Sequence, residues 1–106
     1  MPQFAVHRNR NAATKVRFPF LLDVQTDLLE ALGTRAVVPL TPATVATRRG
    51  AMQTLAPVCT VEGKPYVLLT PQLAGISTKE LGPPIADLSH DRQAIMAALD
   101  LLLTGI

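Results

Sequence analysis

Only the last stretch of this chain sustains a helical period: DRQAIMAALDLLLTGI, residues 91–106. At about 100° per residue, Ala98, Leu102, Ile95, Ile106, Leu99, Leu103 and Met96 fall in one arc, and Leu101 and Ala94 widen it. Asp100, Gln93 and Thr104 share a narrow polar strip. An apolar arc of roughly 220° is wider than one sheet face covers. Unless the last turn frays, the surplus requires a second cover, either another copy of the chain or a partner protein. Ser89 is placed to cap this helix, and Asp91 lies in its first turn, where the helix dipole favours a negative charge.

Everything before that helix comes in short pieces. QFAVHR, residues 3–8, alternates in the period-two manner of a strand with one covered face. NRNAAT, 9–14, reads as a loop. VRFPFLLDVQ, 16–25, is β-rich, and Pro19 marks it as an edge strand or a bulge because proline donates nothing to a ladder. TDLLEALGT is a short helical turn or tight connection ending at Gly33, and RAVVPL, 35–40, is a third strand. Residues 41–53, with Pro42, Gly50 and the Arg48–Arg49 pair, predict an exposed connection of little regular structure. APVCTV and KPYVLL flank Glu62–Gly63 as a hairpin, and PQLAGIS reads as one more strand, interrupted by Gly75. LGPPI then breaks the pattern. The expected architecture is mainly β, with five or so short antiparallel strands and a C-terminal helix, an α+β or small-barrel plan.

A chain of 106 residues is a single domain, 1–106, with a core of modest size that a second copy would enlarge. Aliphatic side chains must build that core, since 48% of residues are hydrophobic but only 4% aromatic. The net charge of +2 is too small to imply nucleic acid by itself. Its distribution is uneven: residues 1–22 hold Arg8, Arg10, Lys15 and Arg17 without a carboxylate, while the end is acidic. That basic segment is either an attractor for an acidic partner or a solvated loop. The single Cys59 forms no intramolecular disulfide and, with no signal-like opening and no membrane-length apolar run, points to a cytoplasmic protein.

The candidate chemistry is thin. Ser89, His90 and Asp91 are consecutive, and neighbours at a helix start point in different directions, so capping is preferred to a triad. His7, His90 and Cys59 lack zinc spacing, and the glycines are too isolated for a phosphate loop; no metal and no cofactor is expected. His7, Arg17 and Arg35 are the residue types an RNA-cleaving site needs, though ordinary surface charge explains them more simply. Cys59, in an apolar strand, is expected to be a buried, inert thiol, and Tyr66 a packing residue with a wet hydroxyl.

Gln3-Phe4, Asp23-Val24-Gln25, Asp27, Arg35, Val38-Pro39-Leu40, Ala86-Asp87-Leu88-Ser89-His90 and Gly105-Ile106 recur in an order and spacing that resemble the CcdB family of toxins across nearly the whole chain. The resemblance implies a small SH3-like barrel of antiparallel strands with a C-terminal helix, forming a homodimer with those helices near its two-fold axis. It implies a non-enzymatic inhibitor whose helix ends enter the DNA gyrase A subunit. It also implies a cognate CcdA-like antitoxin that removes the toxin, with operator DNA bound only through the antitoxin complex, and no membrane partner.

Residue by residue, the resemblance puts Asp100, Leu103, Thr104, Gly105 and Ile106 on the gyrase-facing helix end. Gln3, Phe4, His7, Thr26, Leu28 and Leu29 fall on the dimer or partner face. Arg8, Arg10, Lys15, Arg17, Arg48 and Arg49 are assigned to an acidic segment of the antitoxin. This chain departs from the family pattern where that pattern has Trp, Phe, Asn and an early Tyr; here stand Thr104, Leu103, Asp100 and His7. Two alternatives follow: a family member with weak or lost gyrase activity that keeps antitoxin binding and operon control, or an mRNA-cutting toxin like the related MazF and Kid proteins. The Arg-Gly-acid opening of the latter is not present in this sequence.

Overall fold

The computed structural model describes residues 2–49 and 52–105, with the side chain of Arg49 outside the description. Among the described residues, seven strands form one antiparallel sheet: β1 (Ala5–Asn9), β2 (Phe20–Asp23), β3 (Thr34–Pro42), β4 (Val58–Val61), β5 (Lys64–Leu68), β6 (Ala74–Ser77) and β7 (Leu81–Asp87). The α-helices α1 (Val45–Arg49) and α2 (Arg92–Thr104) accompany them. The order is β4-β5-β3-β2-β1-β7, and β6 also pairs with β3. Thus β3 carries two partners in tandem on one side, β6 along Thr34–Val37 and β5 along Leu40–Pro42, with β2 on the other.

Alternation along the strands divides the side chains into two sets. Val6, Phe20, Leu22, Val38 and Leu40 face the main core, which Cys59, Val61, Leu68 and Leu88 complete and Ile95 and Leu99 of α2 close. The other face carries His7, paired with Leu21, and Asp23, paired with Val37; Leu21, Val37 and Leu81 form a second small cluster there. RAVVPL is a nearly continuous apolar run because its strand is covered on both faces. QFAVHR likewise departs from the expected single covered face: Ala5, Val6 and His7 are all buried.

Glu62 and Gly63 turn the β4–β5 hairpin at φ 52° and 79°, the left-handed pair that two-residue hairpins use. Three other connections differ from the sequence expectation. The second strand starts only at Phe20; the residues before it coil into turns, with Phe18 N donating to the Thr14 carbonyl. β3 continues through Pro42, and α1 follows within the segment expected to be irregular, its first turn held by Thr44 Oγ1 accepting from Thr47 N at 3.1 Å. Gly50 of that segment lies outside the described residues. PQLAGIS divides into a 3-10 turn at Thr70–Gln72 and the strand β6, in which Gly75 pairs with Ala36.

The largest correction is LGPPI, which is not a break but most of β7. This strand pairs only with β1, at the sheet edge, with register shifts on both sides of His7 opposite Pro84. An edge with bulges is where a sheet tolerates prolines. Gly82 allows the close approach: a Cβ there would lie 2.9 Å from both Cβ and the carbonyl oxygen of Arg8.

Ser89 does not cap α2. It begins a 3-10 turn, Ser89–Asp91, in which its amide donates to Asp87 Oδ1 at 2.9 Å and its hydroxyl to Asp87 Oδ2 at 3.0 Å. Asp91 is the residue that precedes the helix, without a side-chain cap. Of the described residues in the wide apolar arc, only Ile95, Ala98 and Leu99 are buried; Leu102 and Leu103 remain 36% and 69% exposed. The helix is also too short to cross a membrane.

Candidate protein-binding surfaces

The exposed end of α2 is built locally. Thr104 Oγ1 turns back to donate to the Asp100 carbonyl at 2.7 Å, a bond that keeps the short side chain on its own helix. Gly105 adopts a left-handed conformation, φ 76°, and its amide donates to the Leu101 carbonyl at 3.1 Å. Asp100, Leu103, Thr104 and Gly105 are therefore all accessible, while Ile106 lies outside the described residues.

A second apolar projection is the turn between β2 and β3. Thr26 Oγ1 accepts from Leu28 N at 3.3 Å and starts a 3-10 turn, Asp27–Leu29, that presents Leu28 at 91% and Leu29 at 47% exposure. Leu32, half exposed, extends this patch and was missed in the sequence; the signal is the 28, 29, 32 spacing of leucines on either side of Glu30. Gln3 anchors the turn, its amide donating to Asp27 Oδ1 at 2.7 Å and its side chain to the Val24 carbonyl at 3.1 Å.

Beneath the turn, Arg35 Nε meets Asp23 Oδ2 at 2.7 Å with both side chains sealed from solvent, and its outer guanidinium nitrogen reaches the Gln25 carbonyl at 3.3 Å. Gln25 N donates to Asp23 Oδ1 at 3.0 Å, and Gln25 Oε1 accepts from Ala36 N at 3.0 Å. The chain leading into the leucine patch is thus tied to β3.

Phe4 and His7 lie inside the fold, so they offer no free surface in the single chain. Phe4 is 3% exposed, and its ring carries the guanidinium of Arg92 at 5.5 Å. Its backbone has φ 69°, unusual for an aromatic residue; the strained position is held by Phe4 N donating to the Asp23 carbonyl at 2.6 Å and by the Phe4 carbonyl accepting from Leu88 N at 2.9 Å. His7 is 1% exposed, its Nδ1–H donates to the Gly82 carbonyl at 3.0 Å, and its Nε2 is buried without a hydrogen-bond partner among the described residues.

The RNA-cleaving combination does not assemble in this arrangement. His7 and Arg35 are interior and engaged with Gly82 and Asp23, whereas Arg17 is exposed with its guanidinium 5.0 Å over the Phe18 ring. His90, 70% exposed, sits 3.4 Å from Asp91, and the Ser89 hydroxyl is directed to Asp87, so these neighbours form no triad. Cys59 is buried, with its thiol pushed up to about 11, first by burial and then by the charge of Asp91. At neutral pH it is a protonated, unreactive thiol. Tyr66 is half-buried and packs edge-on to Phe20, ring centres 5.2 Å apart. Among the described residues no group of three His, Cys, Asp or Glu side chains is arranged to hold a metal ion.

Apart from the buried Arg35, the cationic side chains among the described residues are on the outside. Arg8, Arg10, Lys15, Arg17 and Arg48 are exposed, Arg8 lying 5.8 Å over the Phe20 ring. No Asp or Glu occurs in 1–22, 31–61 or 63–79, so the segments that carry most of these cations are free of acidic residues.

The family model described as CcdB protein matches residues 3–105. With nearly all of its 106 residues covered, and with the antiparallel sheet and C-terminal helix seen above, the chain belongs to the CcdB family, the toxin members of toxin–antitoxin pairs.

Proposed function

We propose that this protein inhibits DNA gyrase through its A subunit, as a homodimer that presents the paired ends of α2, and that a cognate antitoxin neutralises it. The observation that carries the proposal is the apolar end of α2, where Leu102 and Leu103 project beyond the cover of their own sheet. An apolar helix end left open on an otherwise closed core is a surface for another protein. Leu103, Asp100 and Thr104 contact gyrase in this reading, with Leu28 and Leu29 as a second apolar contact and Ile106 completing the tip. Gln3 and Thr26 support the turn. The exposed cations Arg8, Arg10, Lys15, Arg17, Arg48 and Arg49 meet acidic residues of the antitoxin, and operator DNA is reached only through that complex. The protein acts in the cytoplasm, where its targets are, and by binding rather than by catalysis.

Purified protein added to gyrase and supercoiled plasmid tests this directly. Stabilised cleavage complexes, reversed by antitoxin, are the expected result. A dimer that leaves gyrase unaffected at saturating concentration refutes the target.

One observation favours a second reading. Thr104 folds back on Asp100 and offers no aromatic anchor at the helix end. In that reading the chain has weak or lost gyrase activity and retains antitoxin binding and operon control. A protein that binds antitoxin tightly and inhibits gyrase poorly is its signature.

A further inference from the structure

Phe18 is the wall between two clefts. On one side is a space of about 220 Å³ lined by Phe18 with Leu21, Val37, Pro39 and Ile76, and with Glu80 as its acidic member. On the other is a more open space of about 400 Å³, lined by Phe18 with Val16, Pro42, Thr44 and Leu69. Arg17 lines this second cleft and stacks over the Phe18 ring. The walls of the second cleft come entirely from stretches without Asp or Glu, and Lys15 and Arg48 stand on the same segments.

We infer that the two clefts form one docking groove for an acidic peptide segment bearing two bulky apolar side chains, one seated on each side of Phe18, with its carboxylates toward Arg17 and its neighbouring cations. The inference rests on the reading of the chain as a toxin held by an antitoxin, and adds the location and side-chain pattern of the contact. Charge complementarity selects an acidic partner, and the apolar lining selects aliphatic or aromatic anchors. Single-stranded nucleic acid fits less well: Phe18 is the only aromatic residue lining either cleft, and Arg17 already covers it, so there is no free platform on which bases stack. A second copy has an acidic, leucine-bearing turn at Asp27–Leu29 to offer, but a head-to-tail contact of that kind builds rings or filaments.

The probe is a short fluorescein-labelled peptide of Glu and Gly residues carrying two leucines, titrated with the full chain by fluorescence anisotropy. Saturable binding is expected, with a roughly tenfold loss of affinity when both leucines become serine. Val16→Asp places a like charge at the cleft on a residue 86% exposed, and is expected to leave the melting temperature unchanged. It is expected to weaken peptide binding by about tenfold and to leave gyrase inhibition as in the parent. Phe18→Ala, which merges the clefts, gives a comparable loss. Equal binding of the serine peptide, equal binding of an oligonucleotide of the same charge, concentration-dependent filaments blocked by Val16→Asp, or no peptide binding by folded protein each overturns the groove. Peptide binding with these sensitivities in a protein that leaves gyrase unaffected supports the groove and removes the gyrase reading alone.

Discussion

Arg35 and Asp23 face each other at 2.7 Å on neighbouring strands, both withdrawn from water. A buried pair adds little net stability over an apolar pair, but breaking it strands a charge. Arg35→Ala or Asp23→Ala is therefore expected to lower unfolding free energy by about 3–5 kcal/mol. The double variant Asp23→Leu with Arg35→Met is expected to be more stable than either single variant. Urea denaturation of the parent and the three variants ranks them.

Phe4 offers an inverted substitution order. Glycine is ordinarily the more destabilising replacement because its backbone is freer when unfolded. At φ 69° an L side chain is itself strained, by about 1–2 kcal/mol. Both truncations lose the buried ring, but Phe4→Ala is expected to be less stable than Phe4→Gly, a reversal that thermal or urea unfolding resolves.

At Gly82, a methyl group meets the backbone of Arg8 rather than a side chain that can swing away. Gly82→Ala forces β7 from β1 and disturbs the carbonyl that receives the His7 proton. A loss of about 1–3 kcal/mol is expected, with amide exchange accelerated along β7 before the rest of the sheet.

Cys59 sets an alkaline limit. Its ordinary value is 9.0 and the fold raises it to about 11, so the folded state retains a proton that the unfolded chain releases. The associated stability is complete below pH 9.0 and is lost as pH climbs toward about 11. Urea midpoints on either side of that window are expected to fall for the parent and to fall less for Cys59→Ala. Native protein is expected to react slowly with a thiol reagent at neutral pH.

The helix end separates binding from folding. Leu103→Asp changes an exposed residue and is expected to leave the melting temperature unchanged while abolishing gyrase inhibition. Thr104→Trp supplies the missing anchor and is expected to raise inhibitory potency about tenfold or more, since a well-seated aromatic hot spot is worth ~2 kcal/mol. Inhibition titrations with both variants measure this; loss at Leu103 without gain at Thr104 means that further contacts have diverged.

The α+β plan, the terminal helix and the β4–β5 hairpin were legible because each depends on local pattern: a helical arc, alternating runs, and Glu62–Gly63 between them. β7 was not, since Pro83 and Pro84 argue against a strand until its place at a bulged edge is known. The same holds for Ser89, whose hydroxyl had a nearer carboxylate in Asp87 than any free helix amide. His7 looked like the polar side of a half-covered strand, and only the approach of β7 buries it. The exposed leucines at 28, 29 and 103 were already singled out by their family positions; the clefts around Phe18 were not, because residues 16–18, 41–47 and 69 meet only in three dimensions.

The tandem seating of β5 and β6 along one side of β3 has a consequence in time. Thr34 must wait for Ser77 and Leu40 for Leu68, so the central strand is completed only after distant parts of the polypeptide have been brought together. Sheets assembled from such remote pairings mature in milliseconds to seconds rather than microseconds. The newly made chain is therefore expected to reach its folded form only when this sheet closes, an interval that stopped-flow refolding measures.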